Sequence, residues 1–177
     1  TNPVFPAMAA GTPPTEQTVI ARSLQQIFLP LLQMAVPELT DYDLPDFAAA
    51  RHLAFVSIRK TQIGQTRSVA GRLWGSPPLT STRVIVIVDE GVDVRDPAAV
   101  WAAVSQNTDP DADIIFQQGA PDPLDPVIAP GPLTRMMAVD ATEKIPGERQ
   151  GSAPRRAVMD EEIERLVSSR WQAYGLS

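Results

Sequence analysis

Few residues in this 177-residue chain are of the types that carry out catalysis or hold metals. The chain has one histidine, His52, and no cysteine, which excludes disulfides, thiolate metal sites and cysteine nucleophiles. His52 begins an apolar, strand-like run, where a structural role is more typical than a catalytic one. No set of acidic residues and histidine has zinc-site spacing, and no glycine-rich phosphate loop follows a strand. The sequence therefore predicts no metal site in this chain.

An acidic turn, Asp89, Glu90 and Asp93, follows the most strand-like segment of the chain. Carboxylates at the carboxyl end of a parallel strand can bind a cation or a substrate. A solvated turn that ends the strand and leads into the next helix is the commoner arrangement. We favour this second interpretation.

Two further polar groups carry weaker signals. Arg59 and Lys60 close another predicted strand, and an anion contact and a solvated strand end fit them equally well. Ser76, Ser81 and Thr82 lie around a Pro-Pro turn without a base nearby in sequence. Nucleophilic catalysis by these hydroxyls is therefore not expected.

Helix-like and strand-like segments alternate along the chain, which is typical of an α/β fold. Apolar patterns predict strands at 52–58, 83–88, 113–116 and 135–139, and helices at 15–36, 62–74, 96–106 and from 160 onward. Residues 36–50 are expected to form a connection, and Pro30 to kink the first helix or start a second one. The predicted fold is a small, mostly parallel sheet flanked by helices, with a long proline-rich loop over 117–133.

Three segments are expected. Residues 1–14 form an extended entry arm, residues 15–140 an α/β domain, and residues 141–177 a tether with a carboxy-terminal oligomerisation helix. We expect one apolar stripe of that helix to pack either on this same chain or on a partner subunit. The stripe consists of Ile163, Val167, Trp171 and Tyr174. We therefore expect a homo-oligomer, a dimer or larger.

Composition limits the classes of binding partner and the cellular location to be expected. The net charge is -6 and the basic residues are scattered, so nucleic acid is not an expected partner. No apolar run approaches the roughly 20 residues that span a bilayer, so no membrane association is expected. The lack of cysteine fits a cytoplasmic protein. Because the chain begins with Thr1 and not with Met, we expect an upstream part.

A series of short segments resembles the carboxy-terminal domain of the UbiD-family decarboxylases. Each match alone is weak, but they follow one another in the family's order from residue 11 to residue 176. The matching segments are 11–16, 28–32, 37–41, 53–60, 72–75, 82–94, 100–102, 109–110, 123–126, 140–148 and 171–176.

The resemblance implies a function for a longer parent enzyme. Members of this family are carboxy-lyases that decarboxylate aromatic or α,β-unsaturated acids through prenylated FMN, with a divalent metal and potassium. The family's catalytic Glu-Arg-Glu set lies in regions that this chain lacks. The resemblance thus implies no catalytic residue here, no cofactor bound by this chain alone, and a flavin-binding amino-terminal domain or subunit as partner. The chain itself would act as active-site lid and oligomerisation portion.

By position in the family, six residues would face substrate or cofactor: Ile20, Pro77, Pro78, Leu79, Thr80 and Leu124. The chain departs from the family pattern at Thr12, where arginine is usual, and at Gly91, which interrupts an acidic triplet. These departures indicate a divergent subfamily with a different substrate. The alternative reading is a non-catalytic assembly or binding module, or the small subunit of a split UbiD-like enzyme.

Overall fold

The computed structural model describes residues 16–48, 52–122, 131–149 and 159–174. These residues form a five-stranded sheet in the order β1-β2-β3-β5-β4. The strands are β1 (Leu39–Asp43), β2 (Leu53–Ile58), β3 (Val84–Asp89), β4 (Ile114–Gly119) and β5 (Thr134–Asp140), and the helices are α1 (Glu16–Ala35), α2 (Gln65–Trp74), α3 (Pro97–Asn107) and α4 (Glu161–Ser169).

Three neighbouring strands, β2, β3 and β5, run parallel, while β1 and β4 pair antiparallel at the two edges. The predicted α/β class with a mostly parallel sheet is confirmed. Short 3₁₀ turns follow β1 (Asp46–Ala48) and α4 (Trp171–Tyr174). None of the helices in the described ranges combines the length and apolarity needed to cross a bilayer.

Strand β3 is the centre of the core, because its β-branched side chains are buried on both faces. Ile85 and Ile87 face one apolar cluster, which also takes in Leu32 of α1 and Leu73 of α2. Val86 and Val88 face a second cluster, which α3 covers. Each fully buried side chain of this size stabilises the fold by about 1.5–3 kcal/mol. The unbroken apolar run thus reflects a strand covered from both sides.

Helix starts follow the expected capping chemistry. Asp96 accepts a hydrogen bond from the backbone N–H of Ala98 at 2.9 Å, and Pro97 occupies the first turn of α3. Asp160 likewise accepts from the N–H of Glu162 at 2.9 Å. Both predicted helix starts are confirmed.

Two helices differ from their predicted form. α1 is a single helix from Glu16 to Ala35 with Pro30 inside it, which excludes a second helix starting at Pro30, whereas a kink there stays a prediction. Helix α2, predicted over 62–74, begins only at Gln65, and Ile63 before it is exposed.

Strand β1 lies within residues 36–50, which the sequence predicted as a connection only. Its pairing with β2 shifts register between Leu39 and Asp41, and the buried side chains, Leu39 and Tyr42, are three residues apart. A bulge of this kind breaks the two-residue alternation by which a strand is recognised. The sequence pattern therefore concealed this edge strand.

Arg72 on α2 connects two helices and the first strand. Its guanidinium donates to the carbonyl of Ala35, at the end of α1, at 3.3 Å, and to Oε1 of Glu38 at 2.8 Å. The hydrogen bond from Arg72 lowers the pKa of Glu38 to about 2. The ionised pair therefore fixes the turn between α1 and β1 against α2.

We expect Glu38→Gln to lower the free energy of unfolding at pH 7 by about 1.5 kcal/mol, the lower end for a hydrogen bond to a charged group. The folded-state pKa lies below the ordinary value of 4.5, so the ionised carboxylate stabilises the fold above that value. The difference from wild type should shrink as the pH falls from about 4.5 to about 2. Urea titrations across this pH range measure it.

Glu90→Gln is the matched control, because Glu90 pairs with Arg59 where both side chains are largely exposed. It should change stability by less than about 0.5 kcal/mol at any pH. An equal effect of the two substitutions would contradict the role given to Glu38.

Candidate functional site

The carboxyl ends of the three parallel strands bring charged residues to one edge of the sheet. Lys60 follows β2, Asp89 ends β3 and Asp140 ends β5. The sequence placed Lys60 and Asp89 in separate turns, and the parallel pairing of their strands brings these turns to the same edge. Ligand sites of α/β sheets commonly form at such edges.

Lys60 is buried, with 2% of its side chain exposed, and carboxylates surround it. Its Nζ lies 2.7 Å from Oε2 of Glu148 and 3.7 Å from Oδ2 of Asp140. It also donates to the hydroxyl of Thr142 at 2.9 Å. A lysine without these partners would be strongly destabilising at this depth.

A second buried lysine, Lys144, completes the group. Its Nζ lies 3.1 Å from Oδ1 of Asp140 and 3.3 Å from Oδ1 of Asp113. Arg149 pairs with the other oxygen of Asp113 and donates to the carbonyl of Asn107 at 3.1 Å. These contacts join the end of α3, the start of β4 and the segment after β5.

The segment 141–149 returns across the strand ends to supply these partners. Gly147 has φ of 88°, in the left-handed region that glycine adopts without strain. The turn there lets Oε2 of Glu148 accept from the N–H of Ile145 at 3.1 Å while it faces Lys60. We call the group of Lys60, Asp113, Asp140, Lys144, Glu148 and Arg149 the strand-end network.

Two carboxyls at adjacent strand ends have pKa values shifted in opposite directions. Burial raises the pKa of Asp89, and the N–H of Glu143, which donates to it at 2.7 Å, offsets this only in part. Burial also acts to raise the pKa of Asp140, but the Thr142 hydroxyl, Lys144 and Lys60 outweigh it and the pKa falls. Asp140 is therefore held as an anion, whereas Asp89 binds a proton more readily than an ordinary aspartate.

The strand-end network balances its own charge, since three basic groups face three acidic ones. Across the described parts of the chain, no three His, Cys, Asp or Glu side chains come together so that they could hold a metal ion. The strand-end network therefore has a structural role, because it fastens residues 141–149 to the sheet. The network presents no free charge to a ligand.

The remaining charged residues of this edge lie in solvent. Arg59 pairs with Glu90 at 2.9 Å, and both side chains are largely exposed. Asp93 accepts from the N–H of Arg95 at 2.9 Å, as a turn residue does. The acidic turn is thus divided between the half-buried Asp89 and its two exposed neighbours.

The sequence analysis did not predict the strand-end network. Asp113 begins a predicted strand and Lys144 lies in the predicted tether far along the sequence, and their spacing matches no known motif. The available signal was the Asp140–Lys144 pair, four residues apart directly after a strand and followed by a Pro-Gly turn. A charged pair in that position is compatible with burial only if further partners arrive from elsewhere.

The residues expected to face substrate or cofactor lie at different depths. Ile20 on α1, Pro77 and Thr80 are exposed, and Pro78 is half-buried after a cis Pro77–Pro78 bond. Leu79 is fully buried in the core and packs there. Leu124 lies outside the described residues. The role of all six at a substrate site stays a prediction.

The apolar stripe of α4 has no cover from the described elements. Ile163, Trp171 and Tyr174 are about half exposed, and Val167 is partly buried. Leu166 belongs to the same face and is exposed as well, although sequence reasoning did not include it. No residue of α4 is buried. The helix therefore keeps an apolar surface available for a partner, and oligomerisation through it stays a prediction.

A surface cleft of about 490 Å³ lies between α1, the first 3₁₀ turn and the start of α3. Phe47 and Pro97 give it an apolar wall. Its guanidinium groups are already engaged, since Arg22 pairs with Asp46 and Arg95 pairs with Asp41 outside the cleft lining. Asp43 also lines the cleft and accepts a hydrogen bond from the side-chain amide of Gln25 at 2.9 Å. The cleft therefore offers no unpaired guanidinium to bind an anion.

Comparison with protein families shows the class to which this fold belongs. The family model of the 3-octaprenyl-4-hydroxybenzoate carboxy-lyase C-terminal domain matches residues 18–141. The chain belongs to this UbiD carboxy-terminal domain family. The match extends from the first turn of α1 to the residue after β5, so it covers the whole sheet.

Relatives of similar sequence are longer than this chain. A protein of uncharacterised function from Aeropyrum pernix is 37% identical over 177 residues, covering 99% of this chain and 36% of its own length. One from Synechocystis sp. is 35% identical and likewise covers 99% of this chain and 35% of its own length. The chain thus spans about a third of the length of these relatives.

Solved structures share the fold. The vanillic acid decarboxylase of Sedimentibacter hydroxybenzoicus, in an open form, matches with a TM-score of 0.72 and 24% identity over 92% of this chain and 36% of its own. The UbiD-class enzyme HmfF from Pelotomaculum thermopropionicum, in complex with FMN, matches with a TM-score of 0.65 and 20% identity over 88% of this chain and 34% of its own. At these identities the likeness concerns the fold.

We expect Lys60→Met to destabilise the fold by about 3–5 kcal/mol, because Glu148 would then be buried without its cation. The neighbouring substitution Arg59→Met should cost less than about 0.5 kcal/mol, since that ion pair is exposed. Adding Glu148→Leu to Lys60→Met should recover part of the loss. Chemical denaturation of the four proteins, wild type included, measures these differences. Equal losses in the free energy of unfolding from the substitutions at positions 59 and 60 would show that the strand-end network does not stabilise the fold.

Proposed function

We propose that this chain is the carboxy-terminal lid and assembly portion of a UbiD-like decarboxylase that acts on an aromatic or α,β-unsaturated carboxylic acid through prenylated FMN. The observation that carries the proposal is the family match across the whole sheet, in a chain about a third as long as its relatives. The parent is then a carboxy-lyase, and this portion alone is inactive. A cytoplasmic location belongs to the same proposal.

The distribution of exposed apolar residues supports an assembly role. Both α1 and α4 present large apolar side chains to solvent in the described ranges. Contiguous apolar patches on a protein surface mark interaction sites more often than chance. A portion of an enzyme that docks on the remainder and on a further subunit needs surfaces of this kind.

The lid role draws support from a relative. The Sedimentibacter vanillic acid decarboxylase has been solved in an open form and in a closed form. A portion that covers an active site must move so that substrate can enter. The exposed residues Ile20, Pro77 and Thr80 would form part of the wall that this portion brings to the substrate.

The flavin and its metals fit poorly to this chain alone. The buried charges of the strand-end network neutralise one another, and the described residues form no group of three metal-binding side chains. We therefore assign cofactor binding and the catalytic groups to the upstream region of the parent. The residues of this chain shape the site and exclude water.

The test joins the chain to its native upstream region and supplies prenylated FMN. The purified parent should show flavin absorbance and release CO2 from an aromatic or unsaturated acid. Replacing the exposed Ile20 by tryptophan should lower kcat/KM by about tenfold or more, because added bulk in a substrate wall acts on the reaction and not on folding.

Val19→Trp is the matched control, since Val19 neighbours Ile20 and is exposed to a similar degree. It should leave kcat/KM within about twofold of wild type. A parent without flavin absorbance or decarboxylation would instead favour the non-catalytic assembly module. Flavin that co-purifies on a second, separate chain would indicate the small subunit of a split enzyme.

Self-association should depend on the α4 stripe. We expect Ile163→Glu combined with Trp171→Glu to raise the dissociation constant of the oligomer at least about tenfold, since each apolar side chain buried at an interface contributes about 1.5–3 kcal/mol. Ser169→Glu, a change at an exposed position on the opposite face of α4, should leave the constant nearly unchanged. Sedimentation velocity over a concentration series distinguishes them. A monomeric wild type at micromolar concentration would rule out this mode of assembly.

A further inference from the structure

Helix α1 has two apolar faces. One face packs on the sheet and includes Leu32, which is 1% exposed. The other face consists of residues spaced alternately four and three apart along the helix. We call it the outer seam, and its members are Ile20, Leu24, Ile27, Leu31 and Met34.

The outer seam is a narrow stripe on the side of α1 away from the core. At about 100° per residue its five members fall within about 80° of one another, and Leu32 lies about 120° from Ile20. Four of the five are substantially exposed: Ile20 45%, Ile27 63%, Leu31 53% and Met34 81%. No described element packs on this face.

A solvated helix face normally carries charge, but this one carries none from Ile20 to Met34. Arg22 is the one basic residue of α1, and it lies on the other side of the helix, paired with Asp46. Ser23 and Pro30 border the seam on one side, so no charged pair flanks it. Apolar residues in a four-three repeat are typical of a helix that packs lengthwise on another helix.

The size of the seam argues against a second copy of this chain as its partner. Five partly exposed aliphatic side chains present on the order of 500 Å², below the roughly 800 Å² per partner of a typical stable interface. The repeat covers about two heptads, whereas coiled coils that associate alone usually have three or four. A partner tethered in the same polypeptide needs less area, because the tether provides a high effective concentration.

We propose that the outer seam is the docking surface for an apolar helix of the upstream region of the parent polypeptide. This inference rests on the proposed function, in which this carboxy-terminal portion spans about a third of its relatives' length and the remainder precedes α1. α1 is the first described element, so along the sequence its seam is the described helical surface closest to an upstream region. Docking there places Ile20, at the start of the seam, between the two portions.

The lack of native cysteine in this chain allows a direct test. Ile27→Cys and Met34→Cys introduce single thiols on the seam. Val19→Cys introduces one of nearly equal exposure, 60% against 63% for Ile27, but outside the stripe. Each variant is labelled with a maleimide in the chain alone and in the parent, and peptide mass spectrometry quantifies the modification at that position.

We expect labelling at positions 27 and 34 to be at least about tenfold slower in the parent than in the chain alone, and labelling at position 19 to be unchanged. Full labelling of the seam in the parent would overturn the proposal. Protection in the chain alone that grows with concentration would assign the seam to a second copy, and protection at every concentration would assign it to this chain's own residues. Both results would also overturn it.

The outcome is separable from that of the proposed function. Labelling rates report on the docking of α1 and do not require flavin, whereas flavin absorbance and CO2 release report on the parent's activity. A parent that protects the seam but does not decarboxylate would support the docking surface and refute the proposed decarboxylase function. An active parent in which the seam is fully labelled would support the decarboxylase function and refute the docking surface.

Discussion

The fold depends on neutralising two lysines buried where the parallel strands end. Lys60 and Lys144 have almost no contact with water, and the carboxylates that compensate them come from three different segments of the chain. Removing the counter-charge of a buried lysine destabilises a fold more than replacing the whole ion pair by apolar residues does. The segment after β5, the start of β4 and the end of β2 must therefore reach their native positions together. This requirement links the arrangement of these segments at the carboxyl edge of the sheet.

Much of the architecture could be read from the sequence because local patterns determine it. The β-branched run of β3 requires cover on both faces, and Asp96 with Pro97 marks a helix start by chemistry that operates within one turn. Strand β1 escaped detection because a bulge disrupts its alternation. The strand-end network escaped because its members are brought together by the parallel pairing of β2, β3 and β5, which no local pattern specifies.

The candidate site could be predicted only in outline. Family resemblance pointed to Ile20 and to the turn at 77–80, and the structure places the first on an exposed helix face and the second beside the core. Resemblance supplies position along the chain, but depth follows from packing. That difference explains why Leu79, which lies between the half-buried Pro78 and the exposed Thr80, is entirely enclosed. The apolar faces of α1 and α4 were likewise visible as patterns, while their exposure depends on which elements the fold leaves uncovered.

The turn at 77–80 combines one buried residue that holds the backbone in place with neighbouring residues that are exposed to solvent. Leu79 inserts into the core and fixes the backbone, while Pro77 and Thr80 on either side of it remain in solvent. Substitutions at the displayed positions therefore encounter little resistance from folding, whereas the anchor is constrained by close packing. A loop built in this way can change what it presents during evolution while the scaffold stays the same. Under the proposed function, such a loop would let one fold accept acids of different shape by exchanging a few side chains.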